Sequence, residues 1–327
     1  MRGDTITTRA ALAGAAILAL HGCAPQSNAG LAPSPPRTQT ATKGWLSPGA
    51  TRGQHLIYVS SAAGGTGEVN IYTRSSTAPI RTILSGVSSP QGLAVDAGGD
   101  LYVANSGNNT VTVYPPGKLM PSVTYASGVS QPDGVGVGAD GYVYVANVSG
   151  GPSGDGSVTE YPPGSTIPSL TLTLPGLSAV NVALDGANDL YVSWFAKATS
   201  TIQVEKYAPG SSSGTNLRLD LPPGSFPAYA IAFDHAGNLV LPYENLSHGA
   251  PKYIGVFPPG STEPSLRIRD GSLLDVVAGI AFPRDSRLFY VASEGDQIWM
   301  RLTYPIVEIR SITSVGIPRG LALSPGT

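Results

Sequence analysis

Four histidines and one cysteine bound the nucleophilic and general-base chemistry open to this chain of 327 residues. The histidines are His21, His55, His235 and His248, and none sits in a GxSxG-like strained turn that would present a serine to it. Glu244 and His248 lie four apart in one polar stretch. They have the residue types of a carboxylate-assisted base, although two polar side chains in a long loop are more simply read as solvated surface. Oxygen-bearing side chains are better represented. Asn105, Asp133, Asn147, Glu244 and Glu294 would suit a hard cation such as Ca²⁺ or Mg²⁺ if they converged. The bland reading of Asn105 and Asn147 is a strand-end amide bonded to local backbone. The pairs Asp96–Asp100 and Asp185–Asp189 have a calcium-like spacing, but they recur where Asp234–Asn238 stands, which points to turn chemistry. GVGADG at 136–141 formally matches GxGxxG. No helix follows to receive a phosphate, so the match carries no nucleotide site.

What must position these side chains is a repeat. GLAVDAGGDLYVANSGNNTVTVYPPG (92–117) returns as GVGVGADGYVYVANVSGGPSGDGSVTEYPPG (134–164), then in looser copies at 181–210, 230–260 and 279–305. The landmarks Gly92, Gly134, Asn181, Ala230, Gly279 and Gly320 are 41 to 49 residues apart, the period of propeller blades. The copies share a short apolar strand, a Gly/Asp turn, an aromatic strand (LYVAN, VYVAN, LYVSW, LFYVAS), a variable loop, a third strand, a turn of Pro-Pro-Gly or its relative, and a fourth alternating strand. The chain enters the repeat at HLIYVSS (55–61), an aromatic-strand sequence, and ends on GLALSPGT (320–327), an apolar first strand. Four antiparallel strands per blade and six aromatic-strand positions (Tyr58, Tyr102, Tyr144, Tyr191, Val240 and Tyr290) predict an all-β, six-bladed β-propeller over residues 54–327, its ring closed by the C-terminal strand. The tyrosines of that series are expected to pack between blades.

PQGLAVDAGGDLYVANSGNNTVTVY (90–114) and its copies resemble the NHL-repeat propellers and their gluconolactonase/regucalcin-like and streptogramin-lyase-like relatives. The resemblance covers about residues 54–327, and its fold hosts binders and enzymes alike. It implies that the inter-blade links and the loops after the aromatic strands share one face. That face would carry Gln91, Asp133, Val180, Tyr229, Ala278 and Arg319 around the axis, and the strand ends Ser61, Asn105, Asn147, Trp194, Tyr243 and Ser293. Its loops are longest in the copies at 134–164, 181–210 and 230–260, where Trp194, Phe195 and Tyr243 are expected to add aromatic surface. The ligand-binding candidates are therefore Asn105, Asp133, Asn147, Trp194, Tyr229, Tyr243, Glu244 and Arg319, with no catalytic and no metal-ligating residue assigned. A lactonase-like enzyme of this shape would hold a divalent cation at the axis, yet Val180 and Ala278 stand where ligands would be wanted. A streptogramin-lyase-like enzyme would need the Glu244/His248 pair at the axis. The reading is a binding or scaffold module for a protein, peptide or glycan, with no cofactor, the alternative being a metal-dependent lactonase-like hydrolase.

The ends and the composition set the location. A weakly basic start, the apolar run AALAGAAILAL (10–20) and Leu20-His21-Gly22-Cys23 resemble a bacterial signal peptide with a lipobox, which would lipidate Cys23. Residues 24–53, rich in Pro, Ser and Thr, read as a disordered tether. The chain is thus divided into 1–23, 24–53 and 54–327. Ala24 after the cysteine favours the outer membrane. The net charge of −2 and the absence of a basic patch exclude electrostatic attraction to nucleic acid. A monomer touching the membrane only through its lipid is expected.

Overall fold

The computed structural model describes residues 56–61, 66–151, 154–222, 225–227, 230–245, 252–270, 277–283, 288–293, 297–302, 308–313 and 316–325. The proposed signal peptide, Cys23 and the tether lie outside them, as do His55, Tyr229, His248 and Glu294.

Among the described residues, all the regular structure is β. The first sheet contains β1 (Leu56–Ser61), β2 (Glu68–Thr73) and β3 (Arg81–Ile83). The second runs through β4 (Pro90–Val95), β5 (Leu101–Asn105), β6 (Thr110–Tyr114) and β7 (Val123–Tyr125). The third has β8 (Pro132–Val137), β9 (Val143–Asn147), β10 (Ser157–Tyr161) and β11 (Leu170–Thr173). Then come β12 (Leu177–Leu184), β13 (Leu190–Ala196), β14 (Thr201–Tyr207) and β15 (Thr215–Asn216). A further sheet holds β16 (Ser225–Pro227), β17 (Ala232–Phe233), β18 (Leu239–Asn245), β19 (Lys252–Phe257) and β20 (Leu266–Asp270). The last consecutive set is β21 (Val277–Ala281), β22 (Leu288–Ser293), β23 (Gln297–Leu302) and β24 (Glu308–Thr313). The C-terminal strand β25 (Pro318–Leu323) pairs antiparallel with β1, Ile57 facing Leu323 and Val59 facing Leu321.

Every pairing is antiparallel between sequence neighbours, apart from β25 on β1 and the split inner strand β16/β17. The sheets are the blades of a β-propeller. Five follow the expected four-strand plan. The expectation of six equal four-stranded blades is corrected at residues 225–270, where the sheet has five strands. Its inner strand is broken in two: Pro227 faces Tyr243 and Ala232 faces Val240, so four residues intervene on one side and two on the other.

Local chemistry explains the repeat. After the third strand of four sheets the same turn forms, with Lys118, Ser165, Ser211 and Ser261 N–H donating to the carbonyls of Pro115, Pro162, Ala208 and Pro258. Proline fills its second position, and Gly117, Gly164, Gly210 and Gly260 fill its third at φ of 69 to 74°, which a side chain rarely tolerates. Before the inner strand, Ser89 and Gln131 also take positive φ, 44° and 46°.

The core lies between sheets. Tyr58, Val69 and Ile71 of the first sheet pack with Leu93, Leu101, Val103 and Tyr114 of the second. Ile57, Val59 and Tyr72 pack with Tyr290 and Ala292 of the β21–β24 sheet and with Leu321. Inner and second strands touch a neighbour on both faces and so read as continuous apolar runs. Each fully buried Val, Leu or Ile contributes about 1.5–3 kcal/mol. Tyr58, Tyr102, Tyr144 and Tyr290 are buried in these seams, and half-buried Tyr191 meets Phe233 edge-on at 4.8 Å.

Candidate functional site

Antiparallel pairing gathers three chain positions at one end of each sheet. Pro90 faces Asn105, which faces Thr110. Pro132, Asn147 and Ser157 line up in the same way, as do Ala179, Trp194 and Gln203. This end carries the starts of the inner strands, the ends of the second strands and the variable loops.

The inner strand is irregular there. Between Pro90 and Leu93, Gln91 and Gly92 oppose the single residue Ala104. Asp133 is the extra residue between Pro132 and Gly134, and Val180 between Ala179 and Asn181. Ala278 is extra between Val277 and Gly279, and Arg319 between Pro318 and Gly320. A bulge adds one residue, bends the strand and re-aims a side chain. The next residue shows where these strands meet. A Cβ on Gly320 would lie 2.5 Å from the Gln91 carbonyl, one on Gly92 2.6 Å from that of Asp133, and one on Gly134 2.8 Å from the Cα of Asn181. One on Gly279 would lie 2.6 Å from the Leu321 nitrogen. Glycine lets the inner strands approach so closely that the bulge residues stand side by side.

The second-strand ends behave differently. Asn105 is fully buried: its Nδ2 donates to Thr112 Oγ1 (2.9 Å) and the Val103 carbonyl (3.2 Å), and its Oδ1 accepts from Ser88 N–H (3.1 Å). Asn147 repeats this, donating to Thr159 Oγ1 (3.0 Å), Ser157 Oγ and the Gly128 carbonyl, and accepting from Ser130 N–H (2.9 Å). Thr112 and Thr159 hydroxyls donate to the carbonyls of Gly86 and Gly128, and Tyr114 and Tyr161 to those of Ser85 and Ser127. An Asn-Thr-Tyr set thus clamps each incoming link, LSGVSSPQG or ASGVSQPDG, onto the next blade. Burial, with the Thr112 hydroxyl lowering in opposition, raises the Tyr114 phenol above its ordinary pKa. Trp194 and Tyr243, in the same register, are 0% and 2% exposed. The expected aromatic surface is therefore not formed by these two rings: both are buried, Trp194 among Val182, Val192 and Tyr207. Tyr243 stacks on Tyr253 at 5.6 Å. Half-buried Phe195 follows Trp194. Glu244 is placed on β18, opposite Phe226 and Lys252, while Tyr229 lies outside the described residues. The candidates thus divide into clamps (Asn105, Asn147), buried aromatics (Trp194, Tyr243) and bulge residues (Asp133, Arg319). The clamp threonines, serines and tyrosines were missed, although the repeated SGVS-x-P-x-G link was visible in the sequence.

At the opposite end the aspartate pairs are turn formers. Asp96 Oδ1 accepts from Asp100 N–H (2.9 Å), Asp185 Oδ1 from Ala187 and Asp189 N–H, and Asp234 Oδ1 from Ala236 and Asn238 N–H. Lys206 pairs with Asp189 at 2.6 Å and lies over the Tyr191 ring, and its ammonium is held above the ordinary lysine range first by that hydrogen bond. Desolvation raises the Asp96 carboxyl, which lines a shallow cleft with Phe282 and Leu323. Among the described residues, no three His, Cys, Asp or Glu side chains are grouped to hold a metal.

Sheet order and repeat thus define a β-propeller. Residues 88–114 match the NHL repeat model. Among solved structures, the chain is similar to Kuenenia stuttgartiensis hydrazine synthase at 14% identity, covering 88% of this chain and 93% of that one, with a TM-score of 0.58. A protein of unknown function from Bacteroides caccae has 16% identity, coverage of 83% and 98%, and a TM-score of 0.59. The β-propeller domain of Myceliophteria thermophila Cps50 (Swd1) has 9% identity, coverage of 69% and 72%, and a TM-score of 0.52. At these identities the likeness concerns the fold alone. No curated protein matches the chain.

Proposed function

We propose that the chain is an envelope-anchored propeller of six units, closed by β25, that binds a protein, peptide or glycan at the end bearing the bulges. The observation that carries this reading is the recurrence of the bulge in inner strands whose neighbours press together: the backbone plan is constant while the bulge residue changes from Gln91 to Asp133, Val180, Ala278 and Arg319. A constant frame with a varied rim is how a repeat fold displays a ligand surface. The buried Asn-Thr-Tyr clamps support it by fixing the links that enter that rim. Pairing of β25 with β1 supports closure.

Peptide and glycan arrays probed with the purified protein test the binding reading. Retention of a ligand that is lost in Asp133→Ala and Arg319→Ala, but kept in the opposite-end variant Lys118→Ala, is expected. Chelator-sensitive lactone turnover would replace the binding reading by the hydrolase. Removing residues 318–327 tests closure: the expected product is a destabilised protein that associates through its exposed β1 edge, and an unchanged melt and monomer mass would refute it. The N-terminal proposal is lipidation of Cys23 and outer-membrane anchorage of a monomer without cofactor. Metabolic labelling with a fatty acid should mark the wild type and not Cys23→Ser, and an unlabelled wild type sinks it.

A further inference from the structure

We infer that the turn-bearing end of the first three sheets lies against a lipid surface, with Met120 and Ile167 set into it, so that the bulge rim is turned away from the membrane. The inference rests on the proposed lipidation of Cys23, and it names the face of the propeller that meets the lipid.

The argument starts from where the chain enters the ring. Leu56 opens β1 opposite Thr73, while Ser61 ends it opposite Pro318 of the bulged strand. The chain that follows Cys23 therefore joins the ring at the end away from the bulges. That junction is held: Leu56 N–H donates to Ser324 Oγ (2.7 Å), and Ser324 N–H donates to the Leu56 carbonyl (2.9 Å). Ser324 also lines the cleft that Asp96 lines, so the entry point and the aspartate turn of the next sheet share one end.

That end is apolar on one side. Past the turn that follows each third strand, the matched step of the repeat is filled by Ala78, Met120, Ile167, Ser213 and Glu263 in the first five sheets. All five are exposed. The entry sheet and the two after it thus present carbon where the next two present a hydroxyl and a carboxylate. Met120 and Ile167 are the large members, 65% and 68% exposed. Their place is fixed by the turn: Ile167 N–H accepts no freedom, since it donates to Ser165 Oγ (3.0 Å), whose hydroxyl donates back to the Ile167 carbonyl (3.0 Å). Pro121 and Pro168 follow them and lock the next φ. Large apolar side chains held out at matched positions mark an interaction surface. They stand one to a sheet, and a lipid phase takes in such separate side chains without the close shape match that a protein partner requires. The Glu263 carboxylate resists desolvation and keeps the other side in water. The remaining exposed large apolar side chains among the described residues, Leu84 and Ile317, lie in inter-blade links at the bulge end, at unmatched steps of the repeat.

The test uses the full-length acylated protein in phosphatidylcholine vesicles. With Cys23 acylated, an introduced cysteine is the single free thiol. A fluorescent dye is attached to Met120→Cys, Ile167→Cys, Glu263→Cys and, at an exposed loop of the bulge end, Asn108→Cys. Nitroxide carried on the lipid should quench the dyes at 120 and 167 at least about threefold more than those at 263 and 108. Hydrogen exchange gives the same comparison without touching the propeller. Relative to Cys23→Ser in solution, the amides of 117–120 and 164–167 should slow in vesicles, and those of 106–109 should not. Equal quenching at positions 108 and 120 overturns the inference. An unquenched set overturns it too, and would leave the apolar side to a protein partner. Fatty-acid labelling of Cys23 is read on the same samples. A labelled protein without the quenching pattern sinks the inference alone, whereas an unlabelled one sinks the anchorage reading and the inference with it.

Discussion

Asn147 shows what a single residue contributes here. Its side chain is completely buried, and its amide joins the link residues Gly128 and Ser130 to Ser157 and Thr159 on β10. Replacing it by alanine deletes these bonds at once and strands the Ser130 N–H in a poorly solvated place. Each orphaned buried group costs about 1–3 kcal/mol, so Asn147→Ala is expected to lower stability by roughly 2–4 kcal/mol. Urea unfolding measures this, and a loss below about 0.5 kcal/mol would show that the clamp does not hold the link. Asn105→Ala should behave alike, since its bonds repeat those of Asn147. In β13 and β18 the equivalent residues are Trp194 and Tyr243, and those blades fill the space with ring carbon instead. The strand-end reading of the asparagines was available from the sequence because both stand in an identical VAN context. The inward packing of Trp194 and Tyr243 was not, because facing register is set by the bulge and the partner strand. An aromatic at a strand end has the same local pattern whether it turns to solvent or to the seam.

At the scale of the strand, the inner glycines decide how tightly neighbouring blades meet. Gly134→Ala puts a methyl 2.8 Å from the Cα of Asn181. Backbone cannot step aside as a side-chain tip can, so about 1–3 kcal/mol of overpacking is expected. Gly186→Ala is the matched control: it lies in the turn after β12 with nothing within 4 Å of the added Cβ and no positive φ. That change is expected to be neutral or to stabilise by up to about 1 kcal/mol through the unfolded chain. Thermal melts of the two variants decide the point, and equal losses would show that close approach is not what the glycine serves. The strand plan itself was legible, because alternation, turn residues and a period of 41 to 49 residues agree. The broken inner strand of the 225–270 sheet was not, since AIAFD at 230–234 reads like the other inner strands. Only pairing reveals the four residues that intervene between Pro227 and Ala232.

In the whole molecule, stability resides in seams between blades, and tyrosines fill several of them. Burial pushes the Tyr58 phenol up to about 12, and burial first, then nearby carboxylates or phenols, raises Tyr102, Tyr144, Tyr161 and Tyr207 still further. The unfolded chain releases these protons near pH 10, whereas the folded chain keeps them. A group whose folded pKa is raised contributes stability fully below its unfolded pKa and loses it as pH climbs toward the folded value. For Tyr58 that window is about pH 10 to 12, and the other four begin to lose their contribution at the same lower edge. Each such proton steepens the fall by about 1.4 kcal/mol per pH unit. The protein is therefore expected to unfold cooperatively above pH 10, with tyrosinate absorbance and loss of the β-sheet circular dichroism rising together. Nearest-neighbour contacts alone would permit blade-by-blade melting. Shared seams such as the one joining Tyr58 to Tyr114 and Ala322 tie each blade's loss to the next. Substituting phenylalanine for Tyr58, which removes the ionisable hydroxyl but keeps the ring, should move the alkaline midpoint upward. Tyrosines titrating near pH 10 with the dichroism intact would mean that the phenols are reached by solvent in the folded state, and the seams would not be the source of cooperativity.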